Sequence, residues 1–312
     1  MSRVSGLLWV WLSLLMSAGC AAGPSVTADE TIAASEVVHE NVTVVSQDGR
    51  AVDVRVFYKA GGCDQCSLIM FSHGANATYD RYDVLLKAWA REGYVVAAPL
   101  HVDSEAHPRR SEYDRDAHLP TRVEDVSATI EHLLADQLAS IEGVSFAGDY
   151  MAAGHSFGAL IAQIAGGASV MDHSIRPAQG PKVVIAISPP GAVPGIVDPS
   201  DWASIEAPML VVTGTNDIVP FIAPKWEDHL ASFEAAPARL STAIVFDEID
   251  HYFNGAFGRI DDGRAAVDAV ADLNAAIITF IRQAGDGVSV ADMSLLGDGA
   301  TGVRILTREN HD

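Results

Sequence analysis

The stretch "AAGHSFGAL" (residues 152–160) sets Ser156 between Gly154 and Gly158, after the apolar run "DYMAA" and before the helix-like run "ALIAQIAGGA". It matches the GxSxG pattern of a serine held on a tight strand-to-helix turn. The small residues two before and two after the serine let the strand and helix backbones approach closely. A serine hydroxyl becomes a useful nucleophile only when it is exposed, has a base to take its proton and lies beside donors for an oxyanion. A sharp turn opening a helix meets the first and third of these needs.

Working outward, the chain alternates strand-like and helix-like segments. "VVHENVTVVS" and "AVDVRVFYK" flank a turn at Gln47, Asp48 and Gly49, which predicts a hairpin. "SLIMFS" and "YVVAAPL" read as buried strands on either side of a helix, "YDRYDVLLKAWAREG", closed by Gly93. The section from His101 to Pro120 is charged and irregular, and "RVEDVSATIEHLLADQL" has the spacing of an amphipathic helix. Three further β-rich runs, "KVVIAIS", "PMLVVTG" and "TAIVFDEI", are joined and followed by helical segments expected over Phe221 to Ala235 and Arg264 to Gln283. Such alternation implies an α/β architecture, a mostly parallel central sheet with helices on both faces and an antiparallel N-terminal hairpin. The interval between Ser156 and Asp217 is filled by these elements, so no large cap domain is expected. Residues 37–284 form the expected catalytic domain. Residues 285–312, a glycine-rich tail, read either as a small added hairpin or as disorder.

Asp217 follows the strand "PMLVVTG", and His251 follows "TAIVFDEI". Both therefore fall where loops leave the same edge of a parallel sheet as Ser156. His229 lies within a helical stretch and is expected on the surface. Asp198 and Asp201 precede their strand, and Asp247, Glu248 and Asp250 are too near His251 in sequence to orient it. The plainer reading of Asp217 is a helix cap. The backbone N–H of Phe157, next after the serine, is one expected oxyanion donor, and that of Ala75, after "IMFSHG", is the other. His73 and His155 read as supporting residues. Ile218, Val219, Phe221, Tyr252 and Phe253, with Phe157, are expected at the mouth of the cleft as an apolar substrate-binding set, the alternative being ordinary core packing.

Composition narrows the partners. The 41 acidic residues outnumber 20 basic ones, for a formal charge of −21, and the ammonium groups come from Lys59, Lys87, Lys182 and Lys225 alone. Nucleic acid and anionic membrane surfaces are repelled by such a chain. Arg3, the apolar stretch Leu7 to Met16 and the small residues before Cys20 have the layout of an export signal over residues 1–20, with Cys20 as the lipidated residue of a lipoprotein. Simple cleavage near Ala22 is the alternative. Residues 21–36 read as a flexible spacer. Removing Cys20 from the count leaves Cys63 and Cys66, a pair expected to form a disulfide in an oxidising compartment. A zinc site lacks the further soft ligands it needs, and no cofactor is expected.

Together, "FSHGANATYDRYDVLLKAWAREGYVVAAPLHVDS", "GHSFGAL", "VVIAISPPG", "PMLVVTGTNDIVP" and "DHYF" resemble the α/β-hydrolase superfamily, in its dienelactone-hydrolase-like, chlorophyllase-like and polyester-hydrolase-like branch. The resemblance spans approximately residues 37 to 283. It implies Ser156, Asp217 and His251 as a catalytic triad, Ala75 and Phe157 as the oxyanion hole, and a cofactor-independent serine esterase acting on small or lipid-like esters outside the cytoplasm. A lipase or polyester hydrolase on the same triad, or a surface lipoprotein that only binds ligands, are the competing expectations.

Overall fold

The computed structural model describes residues 36–135, 141–170, 176–258, 267–285 and 302–308. The expected export signal with Cys20, the spacer up to residue 35 and most of the tail lie outside the described residues.

Strands β1 (Val37–Val45) and β2 (Ala51–Lys59) form the expected antiparallel hairpin, with Val37 opposite Lys59 and Val45 opposite Ala51. Gly49 takes the positive φ of +82° that this turn needs, which glycine adopts without a side-chain clash. Then follow β3 (Cys63–Ser72), α1 (Asp83–Arg91), β4 (Val95–Pro99), α2 (Arg115–Leu134), β5 (Val144–His155), α3 (Phe157–Ala165), β6 (Val184–Ile187), β7 (Met209–Asn216), α4 (Ala231–Ala235), β8 (Ser241–Asp250), α5 (Val267–Gly285) and β9 (Val303–Thr307). They make one sheet in the order β1-β2-β4-β3-β5-β6-β7-β8-β9, parallel from β4 to β8 and antiparallel at both edges.

The inner strands are apolar on both faces because helices cover both. Leu68, Met70, Val184, Ala186, Met209 and Val211 point to one layer, packed with Val126, Ile130, Leu160, Ile164 and Trp202. Their neighbours Ile69, Phe71, Ile185, Leu210 and Val212 point to the other, against Leu85, Trp89, Leu273, Ile277 and Phe280. Cys63 and Cys66 form a disulfide in the first residues of β3, where the register with β5 shifts.

Three expectations are corrected. Helix α2 begins at Arg115, within the segment read as irregular, and carries Pro120 inside it. The amide that Pro120 lacks would serve only the opening, largely exposed turns, and the Thr121 hydroxyl bonds the Ala117 and His118 carbonyls there. The expected helix from Phe221 is instead a tight bridge between Val219 and Ala223, a 3-10 segment Trp226–Leu230 and the single turn α4. Pro220 and Pro224 explain this, since each disfavours helical geometry in the residue before it. In the tail, Val303–Thr307 adds an edge strand to β8 rather than forming its own hairpin among the described residues. The start of the helix expected from Arg264 lies outside them.

The turn at Ser156 is set by backbone contact. A Cβ on Gly158 would fall 1.9 Å from the Ser72 carbonyl oxygen, and one on Gly154 would fall 2.1 Å from the Gly158 carbonyl oxygen. Both obstacles are backbone atoms that cannot swing aside. Gly158→Ala is expected to lower stability by at least about 2 kcal/mol through overpacking. Urea unfolding checks this, and an unchanged midpoint would mean that β3, β5 and α3 are not in contact as described.

Candidate active site

Ser156 sits between the end of β5 and the start of α3 at φ +54°, ψ −121°, a conformation that non-glycine residues hold only when their surroundings enforce it. Its amide donates to the Ile187 carbonyl, which ties the turn to the neighbouring strand β6. Phe157 is the first residue of α3, so its N–H is one of the amides that a helix start leaves without an intrahelical acceptor.

Asp217 leaves the end of β7 and is buried, with Oδ2 accepting from the Thr213 hydroxyl at 2.9 Å. Its Oδ1 lies 2.7 Å from His251 Nδ1. Burial works against the carboxylate, but the adjacent His229 and the hydrogen-bonded His251 outweigh it and hold Asp217 well below the usual carboxylate range. His251 begins the loop after β8, where Asp250 Oδ1 accepts from the amides of Tyr252 and Asn254 and fixes the turn.

The loop after β3 is held by Arg122, a fully buried residue of α2. Its guanidinium donates to the carbonyls of His73 (2.5 Å) and Gly74 (3.0 Å) and to both oxygens of Asp103 (2.7 and 2.9 Å). It also lies 4.6 Å over the Phe157 ring. In a trans peptide the N–H points away from the C=O. Fixing the Gly74 carbonyl toward Arg122 therefore turns the Ala75 N–H the opposite way, and Ala75 lines the same pocket as Phe157. Burial opposes the Asp103 charge, yet Arg122 holds this carboxyl far below its ordinary range. His73 donates from Nδ1 to the Gly74 carbonyl and accepts the His101 amide at Nε2. Burial, with Arg122 nearby, keeps its ring neutral.

His155 ties this loop to the His251 loop. Its Nε2 donates to the His251 carbonyl at 2.8 Å, so its Nδ1 is the free acceptor for the Tyr82 hydroxyl at 2.9 Å. Tyr82 in turn accepts the Gly74 amide at 3.0 Å. Burial, then the neighbouring His251, push the His155 pKa down to about 3, in keeping with a neutral ring that needs one donor and one acceptor.

His229 corrects the sequence expectation. It is 1 % exposed, inside the 3-10 segment before α4, with Nδ1 2.6 Å from the Pro189 carbonyl and Nε2 2.9 Å from Asp217 Oδ1. Sequence reading missed it because a helical pattern there implied an outer face. Asp217, His229 and His251 are also the one group among the described residues with metal-ligand donors clustered. Donors around a tetrahedral zinc would stand roughly 3.4 Å apart, given bonds of about 2.1 Å. The 2.7 Å separation of His251 from Asp217 is that of a hydrogen bond, and the 2.9 Å separation of His229 is that of an ion pair.

These groups surround a pocket of about 480 Å³. Ala75, Ser156, Phe157, Val219, His251 and Tyr252 line it, as do Tyr82, Ser188, Pro190 and His229. Ser188, also at positive φ, keeps a buried hydroxyl with no hydrogen-bond partner among the described residues. Of the expected mouth residues, Phe253 is instead buried in the core, stacked on Phe257, because the turn after β8 points it inward. Ile218 and Phe221 are not in the pocket wall; Phe221 stands 99 % exposed on the bridged loop beside it. The wall residues Ile196 and Ile222 were not anticipated.

No protein-family model matches the chain, and no curated protein matches it in sequence. Solved structures do. An esterase from Pyrobaculum calidifontis shares 16% identity, with 78% of this chain and 85% of that one covered and a TM-score of 0.53. Another structure, described as the hyperthermophilic esterase from that archaeon, gives 17% identity, 78% and 83% coverage and 0.54. A putative dienelactone hydrolase from Klebsiella pneumoniae gives 16% identity, 80% and 99% coverage and 0.55. The likeness is one of architecture, and it agrees with the strand order and the strand-to-helix turn described above: the chain has the α/β-hydrolase fold.

Proposed function

We propose that the protein is a serine hydrolase of carboxylic esters, working through an acyl-enzyme with Ser156 as nucleophile, His251 as base and Asp217 as the acid that orients it. The observation that carries this is the 2.7 Å bond from His251 Nδ1 to the buried Asp217 carboxylate at the wall of a pocket that Ser156 also lines. With Nδ1 donating to Asp217, Nε2 is left as the acceptor for a serine proton. Ser156 Oγ attacks the ester carbonyl as His251 Nε2 takes its proton. The amides of Ala75 and Phe157 receive the negative charge on the carbonyl oxygen. His251 returns the proton to the leaving alkoxide, and water repeats the sequence on the acyl-enzyme. The mainly apolar wall, with Leu160, Val193, Ile196, Val219 and Ile222, suits acyl or aryl groups.

We also propose export as a lipoprotein. The residues up to Cys20 support it, and the Cys63–Cys66 disulfide suits an oxidising compartment. In the native host, Cys20→Ser is expected to move the protein from the membrane fraction to the soluble fraction. Retention in the membrane fraction would reject the anchor.

Ser156→Ala is expected to lower kcat on aryl esters by at least about 10³-fold while leaving the fold intact. A fluorophosphonate should label the parent protein at Ser156 and leave the variant unlabelled. Equal turnover by the two proteins would reject the nucleophile. Arg122→Lys cannot reproduce the guanidinium fork over two carbonyls and Asp103. Its kcat is expected to fall roughly tenfold or more, with KM changed by less than about threefold, because the loss falls on oxyanion stabilisation. Steady-state kinetics on the same esters read this split.

A further inference from the structure

We propose that His229 is a fourth member of the catalytic constellation, a positioning residue that carries its charge at neutral pH and whose imidazolium pairs with Asp217 and offsets its charge toward His251. The inference rests on Asp217 being the triad acid.

The argument is one of donors and acceptors. A neutral imidazole has one N–H and one bare nitrogen, so it satisfies one acceptor and one donor. His229 donates from Nδ1 to the Pro189 carbonyl at 2.6 Å, and its Nε2, which makes no hydrogen bond among the described residues, lies 2.9 Å from the Asp217 carboxylate. A bare nitrogen at either position would face an oxygen lone pair at 2.6 or 2.9 Å in a site closed to water. The Nε2 contact at 2.9 Å is an ion pair and not a hydrogen bond. Asp217 Oδ1 thus receives two imidazoles, and Thr213 secures Oδ2, which leaves the carboxylate no freedom to rotate.

The surroundings favour the charged ring. Around His229 stand Asp217 after β7, the Pro189 carbonyl after β6, His251 after β8, His155 at the end of β5 and Asp228 on its own segment. His155 is neutral, so the fixed charges here are the carboxylates of Asp217 and Asp228. Burial by itself would strip the proton from His229, but these groups overcome it and raise its pKa above the ordinary histidine value.

The consequence falls on His251, whose ring lies stacked 5.7 Å from that of His229 at 29°. A positive charge at this distance opposes protonation of His251. The base therefore releases the serine proton to the leaving alkoxide more readily.

Two measurements test this. In ¹⁵N-histidine-labelled protein, the His229 ring, assigned by its loss in His229→Gln, is expected to show both nitrogens protonated at pH 7.5. A neutral ring at that pH would overturn the proposal, and it would do so whether or not the protein hydrolyses esters. In the second measurement, the acid limb of kcat/KM for His229→Gln is expected to move up by on the order of one pH unit, as removal of a nearby positive charge requires. A uniform loss across pH with an unmoved limb would assign His229 a structural role only. If His229→Gln does not fold, its proton signals cannot be assigned by loss. His229→Asn or a nuclear Overhauser contact to the assigned His251 ring then supplies the assignment, and the same two-nitrogen criterion decides. Absence of fluorophosphonate labelling at Ser156 is a separate result, which would reject the hydrolase reading.

Discussion

The contact between Gly158 and the carbonyl of Ser72 brings three backbones, the ends of β3 and β5 and the start of α3, closer than any side chain permits. That single approach sets the Phe157 amide beside the loop that carries Ala75. Every other feature of the site is arranged around it. Arg122 bonds the carbonyls of that loop while lying over the Phe157 ring, so one guanidinium orders both expected oxyanion donors. Tyr82 and His155 then connect the loop's Gly74 amide to the carbonyl of His251. The loop after β3, the turn at Ser156 and the loop that begins at His251 are consequently one hydrogen-bonded unit.

Such a unit requires buried charge, which is expensive unless paired. Arg122 is paired with Asp103, and Asp125 meets both Arg50 and His101. Burial pushes Asp125 up to about 6 even with Arg50 against it, which shows how far the desolvation of a carboxyl can offset a single guanidinium. Asp103, bonded through two guanidinium nitrogens and the Asn76 amide, moves the opposite way. A hydrophobic pair of equal volume could hold the core as well. It could not aim two carbonyl groups, and the orientation of those carbonyls is what the arrangement supplies.

The fold was readable from the sequence because parallel strands buried on both faces leave continuous apolar runs, and "VVAAP", "VIAI" and "MLVV" are unmistakable in that respect. Ser156, Asp217 and His251 could be singled out because each follows such a run. Residues that act from within helices left no comparable trace. Arg122 sits on what looks like the polar side of an amphipathic helix, and only the fold reveals that this side faces the loop after β3. His229 was misplaced for a related reason: the prolines at 220 and 224 break the expected helix, and a 3-10 segment carries the imidazole inward. Phe253 takes the alternative of core packing, since an aromatic beside His251 can turn into the core as easily as into the cleft.

The buried histidines show why residue type alone could not assign these roles. His73, His101 and His155 each meet one donor and one acceptor: the His101 amide and Gly74 carbonyl, the Ser72 hydroxyl and Asp125, and the Tyr82 hydroxyl and His251 carbonyl. A neutral ring satisfies each of these pairs, and burial lowers the pKa of all three. His229 is buried to the same degree but has the Pro189 carbonyl at Nδ1 and the Asp217 carboxylate 2.9 Å from Nε2, and its pKa moves the other way. Burial therefore does not decide the charge of an imidazole here; the count of lone pairs facing it does. In a chain whose surface is strongly acidic, the proposed charge on His229 is a compensated cation beside Asp217, where a screened surface charge would have no hold on His251.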